Sequence, residues 1–129
     1  MNNEIIYPEL SYRIVGVLFE IHRELGPRYQ EKYYSRAVAL GFERAGLRFE
    51  RELKVNLIYN NQIIGKYYLD FLVEDKIVVE LKTVGGFSNS DIKQILGYLY
   101  AKNLRLGILV NFRSDSLEYK RILNSKYKN

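Results

Sequence analysis

Three charged residues stand inside runs that otherwise read as apolar strands. Asp70 lies in Tyr67-Tyr68-Leu69-Asp70-Phe71-Leu72-Val73, and Glu80 and Lys82 lie in Ile77-Val78-Val79-Glu80-Leu81-Lys82. A short charged turn, Glu74-Asp75-Lys76, separates the runs, and the pattern predicts a hairpin. With a three-residue loop Val73 pairs with Ile77, and counting outward sets Asp70 opposite Glu80. Directly opposed side chains share a face, their Cβ atoms about 4.5–5.5 Å apart. The two-residue period of a strand puts Lys82 on the same face as Glu80. Two facing carboxylates repel unless positive charge lies between them. The Lys82 ammonium and a divalent cation would both supply it, and hard oxygen ligands at this spacing suit Mg²⁺ or Mn²⁺. A two-residue turn would instead oppose Asp70 to Leu81 and turn it to the other face. The bland alternative for all three is a set of solvated charges on the exposed face of an antiparallel sheet.

The rest of the chain supplies elements to position that hairpin. Leu10, Ile14, Val17, Leu18, Ile21 and Leu25 recur at helical spacing and predict an amphipathic first helix from Tyr7, ended by Gly26-Pro27. A second helix is expected from about Tyr29 to Ala45, with Glu31 in its first turn and Tyr34 one turn on. A glutamate there is also favourable against the helix dipole alone. Leu53, Val55, Leu57 and Tyr59 alternate with other residues as a strand, and Asn60-Asn61 is a turn signal leading into the hairpin. Ser88 to Asp91 offers N-cap residues for a third helix running to about Lys102, with Ile92, Ile95, Leu96 and Leu99 as its apolar stripe. Gln94 and Tyr98, four residues apart, share a neighbouring face. Leu106-Gly107-Ile108-Leu109-Val110 reads as a strand covered on both faces. A last helix is expected from Ser114-Asp115, with Leu117, Ile122 and Leu123 inward, and the polar tail 124–129 is expected to fray. The order α-α-β-β-β-α-β-α implies an α/β (α+β) fold with a four-stranded mixed sheet flanked by helices.

The totals exclude several chemistries. The 129 residues fit one domain spanning 1–129. No cysteine is present, which excludes disulfides, thiolate metal sites and a cysteine nucleophile. One histidine excludes a multi-histidine zinc site within the chain. No apolar run is long enough to span a membrane and no signal-peptide pattern opens the chain, so a cytoplasmic location and no membrane partner are expected. Residues 1–100 carry 13 basic and 13 acidic side chains, while residues 101–129 carry 7 basic and 2 acidic, so the net +5 resides in the last segment. A basic end on a neutral body suits a polyanion such as nucleic acid, and equally a solubilising tail.

The ordered set of residues resembles the PD-(D/E)XK nuclease superfamily and, more narrowly, the GxxExxY family of small bacterial proteins. Ile21-His22-Arg23-Glu24-Leu25-Gly26-Pro27, Glu31 and Tyr34, the hairpin from Asp70 to Lys82, Gln94-Ile95-Leu96-Gly97-Tyr98-Leu99 and Leu109-Val110-Asn111-Phe112 carry the resemblance, which runs from about Leu10 to Arg121. The glycine that names the narrower family is replaced by Arg28, and the proline of the superfamily's name by Leu69. The resemblance implies a restriction-endonuclease-like core and metal-assisted hydrolysis of phosphodiester bonds. Asp70 and Glu80, with the carbonyl of Leu81, would hold Mg²⁺ or Mn²⁺, and Glu31 would reach the metal directly or through water. Lys82 would position the attacking water and stabilise charge on the phosphorane. Gln94 and Tyr98 would hold the lysine, the water or a phosphate, and Arg28 adds a positive charge for nucleic acid beside the site. His22 is expected to be structural.

Two further functional classes remain beside a Mg²⁺-dependent nuclease acting on nucleic acid, DNA being the expected one. One is a nucleic-acid-binding module that keeps the fold without cutting; the other is a protein-interaction module using it as a scaffold. One site per chain suggests nicking, action on single strands or branched DNA, or a homodimer with two sites.

Overall fold

A computed structural model describes residues 5–129. Helix α1 (Pro8–Leu25) opens with a proline in its first turn, where the missing N–H costs nothing, and ends at Gly26, whose φ of 71° only glycine adopts freely. Helix α2 (Glu31–Arg44) is closed by Gly46, also at positive φ, with the Leu47 N–H donating back to the Phe42 carbonyl at 2.9 Å. Strands β1 (Phe49–Tyr59) and β2 (Gln62–Val73) are joined by Asn60 and Asn61, both left-handed, in a two-residue turn that matches strand twist. Strand β3 (Ile77–Lys82) follows the charged turn, and Val73 does pair with Ile77. Helix α3 (Asn89–Lys102) starts with a reciprocal capping box between Ser88 and Asp91. Strand β4 (Leu106–Asn111) then runs parallel to β3.

The sheet order is β1-β2-β3-β4-β5, and α1 and α2 pack on one face while α3 packs on the other. The fifth strand, β5 (Glu118–Leu123), is a correction. The expected last helix is an antiparallel strand paired with β4 from Leu106↔Leu123 to Asn111↔Glu118. Ser114 does not cap a helix there; its hydroxyl bonds the Glu118 carboxylate at 2.9 Å and closes the turn into the strand. The expected fraying of the tail is also corrected. Asn124 is buried and its amide donates to the Leu104 carbonyl at 2.9 Å, while Asn103 and Lys128 exchange two hydrogen bonds. Asn103, left-handed at the end of α3, thereby clasps the chain end.

One irregularity bears on the site. Along β1, Phe49 faces the α1/α2 core but Leu53 and Val55 face α3, although all three have the same parity; along β2, Phe71 and Val73 face α1/α2 but Leu69 and Tyr67 face α3. The two-residue alternation therefore slips once in each strand. The slip falls at Glu52, whose φ is 56°, and at Asp70 beside it. Pairing runs through Arg51↔Phe71 and resumes at Leu53↔Leu69, skipping the two acids. A glutamate held left-handed inside a strand is strained, and such backbone is retained where the surroundings over-determine it.

Candidate active site

The β2–β3 ladder pairs Val73↔Ile77, Leu72↔Val78 and Phe71↔Val79, then stops. The next pair in that register is Asp70 and Glu80. In place of the missing ladder bonds, each carboxylate takes a backbone N–H from the other strand. The Asp70 N–H donates to Glu80 Oε1 at 2.9 Å, and the Leu81 N–H donates to Asp70 Oδ2 at 2.8 Å. Both acids are thus fixed in a gap between two central strands. A strand residue sends its N–H and C=O off the same edge, so the Leu81 carbonyl faces this gap as well.

Glu80 is only 6% exposed. Burial, then the charge of Asp70, push its carboxyl up to about 9. The Lys82 ammonium lies 3.6 Å from Glu80 Oε2 and 3.4 Å from Asp91 Oδ1. Burial alone would lower the lysine's pKa, but Glu80, Asp91 and Glu31 outweigh it and hold the ammonium protonated. Burial would raise Asp91, yet the Ser88 N–H and Lys82 hold it below the usual carboxylate range. Glu31, the first residue of α2, is raised by burial and by the charges of Asp70 and Asp91, with Lys82 opposing. The first turns of α2 and α3 therefore converge, from opposite faces, on the end of β3 and the stretch of β2 around Asp70. Three carboxylates there, Glu80, Asp91 and Glu31, act on one ammonium, with Asp70 beside Glu80.

Asp91 is the member that the sequence reading left out of the site. Its only sequence signal is its place in the capping box, nine positions after a lysine that must be neutralised. Asn111 is a second. Fully buried and paired with Lys82 across β3–β4, it donates to the Val84 carbonyl at 2.8 Å and so pins the loop that leaves the lysine. Tyr34 sets the entry of α2, because its hydroxyl donates to the Gly26 carbonyl and its ring stacks on Phe112 at 4.5 Å. His22 is structural, its Nε2 2.8 Å from the Ser114 carbonyl.

The remaining expected members are spread out. Gln94 is half-buried on α3, one turn beyond Asp91, and its backbone carbonyl accepts the Tyr67 hydroxyl at 3.1 Å. Tyr98 is buried in the α3-side core, 7% exposed, where burial and Glu50 raise its hydroxyl pKa. Arg28 is exposed in the loop before α2. Most of the basic C-terminal segment lies elsewhere. Leu106 and Leu123 align with Ile77 at one end of the sheet, whereas Lys82 aligns with Asn111 and Glu118 at the other. Lys102, Arg105, Lys126 and Lys128 follow the first end, away from Lys82. Arg105 also covers the Tyr7 and Tyr127 rings, and Arg121 is bonded to Ser11 and Ile6.

Among the described residues no three acidic or histidine side chains stand close enough to hold an ion unaided. The donor set still fits a hard divalent cation. Asp70 and Glu80 present oxygens at one gap with a charge deficit that a cation would relieve, and Mg²⁺ commonly takes one or two carboxylates and fills its shell with water and phosphate.

A mixed sheet with an acidic pair and a lysine on its central strands, covered by helices on both faces, is the restriction-endonuclease-like arrangement. A family model described as the PD-(D/E)XK nuclease superfamily matches residues 8–122, and the chain belongs to that superfamily. Comparisons with curated proteins and with solved structures give no match. Proteins of this superfamily generally use divalent metals and act on nucleic acid. No helix among the described residues is long and apolar enough to cross a membrane.

Proposed function

We propose that this chain is a metal-dependent phosphodiesterase of the cytoplasm that cleaves nucleic acid, DNA first among candidates. The observation that carries the reading is the Asp70–Glu80 pair, Glu80 buried and Asp70 half-buried, locked by reciprocal bonds to backbone N–H groups, with Lys82 against it. A surface decoration of solvated charges would not be buried or cross-bonded in this way. Asp70, Glu80 and the Leu81 carbonyl are the groups to hold Mg²⁺ or Mn²⁺, with Glu31 reaching it through water. When bound, the ion supplies Lewis-acid polarisation of a phosphate oxygen and a more acidic water.

The chain's own residues do the rest. Glu80 and Asp91 aim the Lys82 ammonium into the gap, where it orients the attacking water and offsets charge developing on the phosphate. Gln94, one turn beyond Asp91, fits a polar contact to that water or to a phosphate oxygen. The Glu31–Tyr34 spacing on α2, with Tyr34 tying the Gly26-Pro27 turn, supports a place among the GxxExxY proteins. Cutting both strands of a duplex would take two copies, since each chain holds one such site.

The test is calorimetric titration of Mn²⁺ into the wild type and Asp70→Ala without substrate, followed by digestion of single-stranded, duplex and branched DNA and of RNA. Binding lost in the variant, with metal-dependent cleavage in the wild type, is the expected result. No metal binding together with retained nucleic-acid binding would overturn hydrolysis in favour of a non-cutting module.

A further inference from the structure

The start of α2 carries a second feature that the catalytic reading does not use. Tyr29 and Tyr33 are each 44% exposed, and their rings meet edge to face at 6.4 Å. With Leu25, Arg36, Ala37 and the exposed Leu40 they line an open cavity of about 570 Å³. Lys32 and Arg36 lie over the Tyr33 ring, at 5.2 and 5.6 Å from its centroid. From Arg28 to Arg36 the chain has three basic residues and one acid, and that acid is Glu31, which is turned to the catalytic cluster.

An aromatic slot with Arg36 in its wall and Lys32 over one of its rings, on the helix whose first residue belongs to the site, has the chemistry of a nucleobase seat beside a phosphate track. Stacking rings inside a positive groove are how single strands are held without sequence preference. A base inside a duplex cannot reach such a slot, because its faces are covered by its neighbours. Most basic residues of the C-terminal segment are at the other end of the sheet, Arg113 beside Asn111 being an exception, so Arg28, Lys32 and Arg36 are the cations that α2 and its entry loop bring to the slot.

We infer that Tyr29 and Tyr33 stack an unpaired base of the substrate, so that the strand reaching the Asp70–Glu80–Lys82 site is single-stranded, flapped or branched. This rests on the nucleic-acid reading above and names the substrate form that it leaves open. The competing occupant, an apolar segment of a protein partner, gains nothing from Lys32 and Arg36 and is an outcome of the test.

The experiment uses the full chain in metal-free buffer with a short single strand carrying 2-aminopurine, and with its duplex. The chain has no tryptophan, so the label's fluorescence is read cleanly. Wild type is expected to bind the strand more tightly than the duplex and to quench the label. Tyr33→Ala should lose about five- to a hundredfold in affinity for the strand, the range for one stacked base, with duplex affinity unchanged. Tyr33→Phe should restore both affinity and quenching, since stacking needs the ring and not the hydroxyl. Equal affinity of wild type and Tyr33→Ala for the strand, equal weakening on both forms, or failure of the phenylalanine to rescue would each overturn the seat, the first also being the result for a protein-docking surface. Binding without any Mn²⁺-dependent cleavage would sink the hydrolytic reading and leave the seat standing. Normal cleavage with unchanged affinities in Tyr33→Ala would do the reverse.

Discussion

Replacing Glu80 by glutamine should stabilise the metal-free protein, although it removes an ion pair. Burial and Asp70 raise the Glu80 carboxyl from 4.5 to about 9. The side chain is almost fully buried, so solvent screening does not soften the effect. In the unfolded chain the group ionises near its ordinary value, whereas the folded chain keeps its proton until high pH. A raised carboxyl contributes stability that is complete below about 4.5 and is lost as pH rises towards 9. Near pH 7.5 roughly three units have been crossed, at 1.36 kcal/mol each, which amounts to about 4 kcal/mol. Asp70 shares the repulsion, and the lost Lys82 contact subtracts up to about 1 kcal/mol, so a net gain of about 2–3 kcal/mol is expected. Glutamine keeps an oxygen for the Asp70 N–H and has an N–H to offer the Asp70 carboxylate, so the gap stays closed.

The assay is urea unfolding in EDTA at a series of pH values from acid to alkaline. Wild-type stability should fall with a slope of up to about 1.4 kcal/mol per pH unit above the ordinary carboxylate range, while Glu80→Gln stays nearly flat. Thermal melts should separate by about 4 °C for each kcal/mol. A variant no more stable than wild type at alkaline pH, with the same slope, would refute the claim that the acidic pair is held against its own repulsion. Saturating Mn²⁺ should stabilise wild type and leave the variant nearly unmoved.

Other substitutions probe the supports of the site. Lys82→Ala leaves Glu80, Asp91 and Glu31 without their ammonium; cleavage should drop by about 100-fold or more and alkaline stability should fall, both readable on one preparation. Ser88→Ala opens the capping box that holds Asp91 towards Lys82 and should cost about 1 kcal/mol in denaturant melts, and a double-mutant cycle with Asp91→Asn should show non-additivity. Gly107→Ala would set a Cβ 2.5 Å from Ile95 Cγ2, where α3 crosses β4, and should destabilise by about 1–3 kcal/mol without touching the acidic pair. Asn124→Ala removes the bond to the Leu104 carbonyl and should release the chain end to protease at a cost of about 1 kcal/mol.

The hairpin was legible because three signals agreed on its register: two apolar runs, a charged turn of fixed length, and acids equidistant from it. Val73↔Ile77 followed, and with it the meeting of Asp70 and Glu80. Residues 118–123 were not legible as a strand. Only Ile122 of that edge strand is fully buried, so no alternation marks it, and Ser114-Asp115 imitates a helix start. What makes Glu118–Leu123 a strand is β4, which offers an open edge after pairing with β3. The left-handed Glu52 had no signal either, since nothing in its type favours positive φ; the slip falls opposite Asp70, where the strand passes from one core to the other. In the sequence Asp91 carries the signal of a cap alone, because its proximity to Lys82 depends on where the loop pinned by Asn111 returns the chain. The tail's polarity suggested solvent, but polar side chains can also complete the open carbonyls and amides at a helix end, as Asn103 and Asn124 do.

The substitution of carboxylate oxygens for ladder carbonyls gives this site its own spectroscopic probes. The amide protons of Asp70 and Leu81 are bonded to Glu80 Oε1 and Asp70 Oδ2, not to backbone. Their resonance positions and solvent-exchange rates therefore answer to the carboxylates directly. Anything that draws an oxygen away, whether a proton, an ion or a phosphate, weakens one of these two bonds and leaves the neighbouring Phe71↔Val79 pairing as an internal standard. In a chain of 15.3 kDa both protons lie within reach of solution NMR, so the state of the acidic pair can be followed residue by residue before any substrate is known.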